Sequence, residues 1–196
     1  MRTEQIALFN DVGARKYLCA SEIPRFLGAT VTEDADTRAF CWLLVCTGCR
    51  LSEAISLTPA QLDADARRVI LRTLKRRKIV YRAVPVPETV MRQLLALASD
   101  LSAEERIWRW CRQTAWRRVK AVMRSASIEG AHAMPKGLRH AFGVANAEKN
   151  VPMATTQKWL GHAKLETTAI YQQAVGHEET AFAERLWRSW NIDQEH

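Results

Sequence analysis

The spacing of apolar positions changes its period along the chain, and each change marks an element. From Ser21, S-E-I-P-R-F-L predicts a short helix with a serine cap and a proline in its first turn. After Thr32, T-E-D-A-D-T-R-A-F-C-W-L-L-V-C predicts a second helix. Its acids stand at the front, where the helix dipole favours them, and its apolar half follows. Gly48 interrupts. Arg50 to Leu57 resumes helical spacing with Leu51, Ala54, Ile55 and Leu57 inward, until Thr58-Pro59 stops it.

The period then falls to two. R-R-V-I-L-R-T-L and I-V-Y-R-A-V-P-V-P are rich in β-branched residues and flank K-R-R-K, which predicts a small antiparallel sheet closed by Pro85 and Pro87. Helical spacing returns in E-T-V-M-R-Q-L-L-A-L-A, and Val119, Val122 and Met123 give the stretch from Arg106 to Arg124 an apolar stripe. Further helices are predicted over Gly137 to Asn150, Thr155 to Leu160, Leu165 to Ala174 and Glu178 to Trp190, with a turn at Gly161. The pattern describes a mainly α domain with one small antiparallel β-sheet, an α+β class.

Composition narrows the function. A chain of 196 residues, 47% of them hydrophobic, can bury one ordinary core. A net charge of +8 and seven tryptophans point to a polyanionic partner. The N-terminus lacks the apolar run of a signal peptide, and no stretch approaches the ~18 apolar residues of a membrane span. The expectation is a cytoplasmic protein whose anion is nucleic acid rather than lipid. The five cysteines are odd in number and sit mostly in apolar helical patterns, as reduced thiols do. Cys46 and Cys49 form a C-x-x-C without a second pair at zinc spacing, so no metal and no cofactor is implied.

The charge is concentrated. Eight basic residues and no acid lie between Arg67 and Arg82, and seven basic residues and no acid lie between Arg106 and Arg124. Arg72, Arg76, Arg77, Lys78 and Arg82 in the first run, and Arg117, Arg118 and Lys120 in the second, are the candidate phosphate contacts. A basic turn also blunts strand edges, which is the plainer reading of Lys75 to Lys78.

Four places carry candidate chemistry. Arg50, in T-G-C-R-L-S-E, opens a helix with a planar fork suited to phosphate oxygens. The hairpin offers Lys75. Arg139, in P-K-G-L-R-H-A-F, lies in the first turn of another helix, where backbone N–H groups favour an anion. His140 stands about 100° round that helix, so one of the pair faces the site while the other packs or braces. His162 follows a helix end, and Tyr171 comes nine residues later.

In that order the four places resemble tyrosine site-specific recombinases, the phage integrase family, over about Ser21 to Ala174. The resemblance implies the tyrosine recombinase catalytic-domain fold and metal-free phosphoryl transfer on double-stranded DNA by a homo-oligomer, dimer to tetramer. Tyr171 would attack a DNA phosphate, leaving a 3′-phosphotyrosine and a free 5′-hydroxyl. Arg50, Arg139 and His162 would hold the phosphate, and Lys75 would protonate the departing oxygen, with Lys78 as its rival. Glu53 would orient site groups, and His140 would support them.

The sequence departs from the family in two ways. Lys136 stands where histidine is commonest, three residues before Arg139, and is the first candidate for the base, ahead of His132 and His140. The usual N-terminal core-binding domain of roughly a hundred residues is expected to be absent, the chain being a catalytic domain alone or a fragment. The expected division is an extension over 1–20, the catalytic domain over 21–174, and a C-terminal helix over 175–196. There Phe182, Leu186, Trp187 and Trp190 either cap the core or dock on a neighbouring protomer. The same features would suit a DNA-binding regulator that no longer cleaves, or a relaxing topoisomerase.

Overall fold

Asp34 accepts a hydrogen bond from the Thr37 amide at 2.7 Å and so starts the central helix, α2 (Ala35–Thr47), two residues later than Thr32 suggested. Phe40, Cys41, Leu43 and Leu44 are all buried around its circumference, the pattern of a helix enclosed on every side. Gly48 ends it with φ +58, and a Cβ there would lie 2.6 Å from the Phe142 ring, so only glycine fits.

The computed structural model describes residues 8–73, 79–173 and 177–190. Around α2 are α1 (Glu22–Ala29), α3 (Leu51–Ile55), α4 (Glu88–Ala98), α5 (Arg112–Ser125) and α6 (Pro135–Glu148). The chain then runs through α7 (Met153–Leu160), α8 (Glu166–Ala169), a 3-10 turn at Ile170–Gln173 and α9 (His177–Ser189). The expected helix from Leu165 to Ala174 is thus replaced by a short α-helix and a tighter turn. The architecture is mainly helical, with one small antiparallel sheet.

That sheet has the order β1-β2-β3, with β1 (Leu62–Asp63), β2 (Arg68–Thr73) and β3 (Val80–Pro85) all antiparallel. Strand β1 is two residues long, too short to show an alternation in the sequence. Register runs from Arg68 opposite Pro85 to Thr73 opposite Val80, so Val69, Leu71 and Thr73 share the buried face with Arg82 and Val84.

Residues 106–111 are not helical. They thread Trp108 into the core, where its indole donates to the Asp36 carbonyl at 3.1 Å and meets Phe40 edge-on. Four of the seven tryptophans pack in this core, Trp108 fully and Trp42, Trp110 and Trp159 in part. The N-terminal stretch joins the domain as well: Leu8 and Leu18 are buried, and Arg15 grips Glu22 of α1 with two bonds of 2.7 Å. No described helix is long and apolar enough to cross a membrane.

Candidate active site

Glu53 is the buried carboxylate on which the first part of the site is built. Arg50, just before α3, donates its backbone N–H to Glu53 Oε2 at 2.9 Å and its Nη1 to Oε1 at 2.8 Å. Arg82 reaches the same carboxylate from β3, Nη2 to Oε2, at 2.7 Å. These cations and hydrogen bonds hold the Glu53 pKa below its usual range, although burial pushes the other way.

Arg139 forms the second part. It is nearly buried, and it donates from Nη1 to the Gly48 carbonyl at 2.7 Å and from Nη2 to the Leu160 carbonyl at 2.8 Å. The first carbonyl lies two residues before Arg50 and the second two residues before His162. One side chain on α6 thus ties together the two turns that present the other phosphate-binding candidates. Burial, and then repulsion from Arg50, lowers its pKa to about 10, which leaves it charged at neutral pH.

Tyr171 lies in a slot beside these groups. It is 2% exposed, its ring stacks on His162 at 6.2 Å between centroids, and its hydroxyl lies 3.2 Å from His140 Nδ1. Gly143 makes the slot possible, because a Cβ there would meet the tyrosine ring at 2.5 Å. Burial raises the phenol pKa, against the pull of Arg139 and Arg50, so the resting hydroxyl keeps its proton. His140, expected to pack or brace in support of the site, lies against the reacting hydroxyl itself. Its place on α6 turns the ring toward the 3-10 turn of Tyr171.

Both site histidines are neutral. Burial, reinforced by surrounding cations, lowers His140 to about 4 and His162 to about 3, and Thr168 Oγ1 lies 2.9 Å from His162 Nδ1. An unfolded histidine titrates near ~6.5, so below that pH the unfolded chain binds protons that the folded chain does not. Stability is full above that value and falls as the pH drops toward the folded pKa values. The unfolding free energy is expected to decrease from pH 7 to pH 5 by about 2 kcal/mol for each of the two histidines, and the urea midpoint with it. A midpoint that rises or stays level across that interval would contradict the buried neutral imidazoles.

The sequence matches the phage integrase family over residues 16–177. The chain belongs to the phage integrase family. Tyrosine recombinase XerD of Mycobacterium tuberculosis (strain H37Rv) is 31% identical over 151 residues, 71% of this chain and 48% of XerD. The chain spans about half the length of the curated relatives it matches. The crystal structure of XerA recombinase superposes with a TM-score of 0.71 at 22% identity, covering 92% of this chain and 66% of that one. XerH site-specific recombinase, solved bound to its difH substrate in a pre-cleavage complex, gives 0.68 at 19%, covering 91% and 59%. At these identities the solved structures establish the fold.

Several cations expected to meet DNA in this family member have other work. Arg82 is buried, because its strand position faces the core, and is a correction to the expected surface contact. Arg118 pairs with Asp34 and Thr37 while its guanidinium lies 4.5 Å from the Trp110 centroid, clamping α5 to the start of α2. Lys120 donates to the Ala133 carbonyl at 2.7 Å. Arg72 and Arg117 are exposed. Lys75, Arg76, Arg77 and Lys78 lie outside the described residues.

Lys136 is exposed on the first turn of α6. His132, its rival upstream, is buried with Nε2 3.0 Å from Glu22 Oε1, which removes it from the site. Sequence reasoning missed two supports, the cluster of Arg15, Glu22 and His132 and the core-facing role of Arg82. The second had a signal, since Val80, Arg82 and Val84 share one face of an alternating strand.

Proposed function

We propose that this chain is the catalytic part of a site-specific DNA recombinase that cleaves and rejoins double-stranded DNA through a 3′-phosphotyrosine, without metal or ATP. The observation that carries the reading is the bridge made by Arg139 between the turns of Arg50 and His162, with Tyr171 stacked against His162.

In the proposed reaction the Tyr171 hydroxyl oxygen attacks phosphorus and the 5′-oxygen of the next nucleotide leaves. Arg50 and Arg139 offset the charge growing on the non-bridging oxygens, and His162 supplies a further hydrogen bond. Lys75 gives its proton to the departing oxygen. The phenol proton passes to a base, for which Lys136 and His140 are the candidates. Lys136 is exposed on the first turn of α6, whereas His140 Nδ1 already lies 3.2 Å from the hydroxyl. Since the ester conserves the energy of the phosphodiester, the 5′-hydroxyl of a second strand reverses the step and rejoins DNA. Tyr171 must leave its buried slot to do this, so DNA binding and rotation of its turn are linked.

Arg72, Arg117 and the basic hairpin are proposed to track the DNA backbone. With about six phosphates contacted, affinity is expected to fall ~10³-fold between 50 and 200 mM salt. Fluorescence anisotropy with a labelled duplex measures this, and a flat response would remove the basic face from the account. Helix α9 exposes Leu186 and Trp187, with Trp190 exposed just beyond it, and this end is proposed to dock on a second protomer on DNA; the Phe182 side chain lies outside the described residues. Trapping the protein–DNA ester on a nicked duplex tests the reading as a whole.

A further inference from the structure

Arg82 occupies a position where the strand pattern asks for an apolar residue. It faces the core with Val84, opposite Leu71 across the ladder, and is only 5% exposed. An uncompensated guanidinium there would be strongly disfavoured. Four hydrogen bonds compensate it. Nη2 and Nη1 donate to Glu53 Oε2 and Oε1 at 2.7 and 3.4 Å, Nη1 also donates to Thr73 Oγ1 at 3.0 Å, and Nε donates to the Trp159 carbonyl at 2.7 Å.

Two consequences reach the candidate active site. Glu53 is shared by Arg50 and Arg82, so the trio keeps one net positive charge. Without Arg82, the carboxylate would neutralise Arg50 alone. The turn that leads to His162 is also moulded on Arg82: Gly161 has φ +66, and a Cβ there would lie 3.0 Å from the guanidinium carbon.

We propose that Arg82 is a positioning residue for DNA strand cleavage. It sets the charge and orientation of Arg50 through Glu53, and the turn carrying His162 through the Trp159 carbonyl. Arg82 does not touch the substrate. The proposal rests on the strand-transfer reading above and assigns that reaction a residue outside its phosphate-binding set.

The experiment compares single-turnover cleavage of a nicked duplex at saturating protein with DNA affinity measured separately. Arg82→Met leaves the carboxylate of Glu53 to Arg50 alone. Cleavage is expected to slow about a hundredfold, while affinity changes by less than about threefold. Removing the carboxylate as well, in Arg82→Met with Glu53→Gln, is expected to recover about tenfold of the lost rate, because no carboxylate then offsets the charge of Arg50. A purely structural role predicts the opposite order, with the double variant slowest. Arg82→Lys keeps a buried cation but not the fork, and it serves the same comparison if Arg82→Met fails to fold. Its cleavage loss must exceed its affinity loss. Unchanged cleavage in a folded variant, equal losses in rate and affinity, or no recovery in the double variant overturns the proposal. A wild-type chain that forms no adduct overturns the strand-transfer reading and this proposal together.

Discussion

Arg139→Ala is expected to lose about a thousandfold in cleavage rate and ~3 kcal/mol in stability. The two losses have different origins. Stability falls because the Gly48 and Leu160 carbonyls each lose the donor that satisfies them, at 2.7 and 2.8 Å, in a place closed to water. Rate falls because the charge of Arg139 is gone and because Arg50 and His162 are no longer held by one side chain. Arg139→Lys separates the terms. It restores charge, but a single ammonium cannot reproduce the fork across both carbonyls. It should recover part of the stability and remain slow. Urea unfolding and single-turnover cleavage measure the two effects. A folded Arg139→Ala variant within tenfold of wild type in cleavage would remove Arg139 from the reaction.

The elements were legible in the sequence wherever a long period or a capping residue marked them. The enclosed α2, the hairpin of β2 and β3, and the αL glycines at positions 48 and 161 all carried such signals. Short pieces did not, and β1 and the 3-10 turn of Tyr171 span too few residues for any period to appear. The ordered motifs also placed Arg50, Glu53, Arg139, His162 and Tyr171 in advance, and the fold brings these residues to neighbouring turns. What the sequence hid was the destination of each charge. Arg82, Arg118 and Lys120 look alike as letters in basic runs, yet a strand face, an acidic neighbour on α2 and a backbone carbonyl claim them one by one. His140 was hidden for a related reason. Its angle from Arg139 on α6 was clear, but the segment it meets is distant in sequence, and only the folded chain brings Tyr171 to that side.

Tyr171→Phe is the substitution expected to change the chemistry most while changing the fold least. The phenyl ring keeps the contact with Gly143 and the stacking on His162, so only the hydrogen bond to His140 is lost. The stability change should stay within about 1 kcal/mol. DNA affinity should hold as well, because the proposed phosphate contacts are made by cations elsewhere. Covalent chemistry should vanish, since the phenyl ring has no oxygen to attack phosphorus and carry the ester. Preserved unfolding midpoint, preserved binding and absent ester form a combination that loss of folding does not produce.

The most direct measurement is denaturing electrophoresis of the wild-type protein after incubation with a library of nicked duplexes, each able to lose its 5′-hydroxyl fragment on cleavage. A recombinase of this kind is expected to give a slower-migrating protein–DNA species in wild type that resists boiling in detergent, maps to Tyr171 and is absent from Tyr171→Phe. DNA binding without any such species, or a species of equal yield in Tyr171→Phe, would contradict this reading.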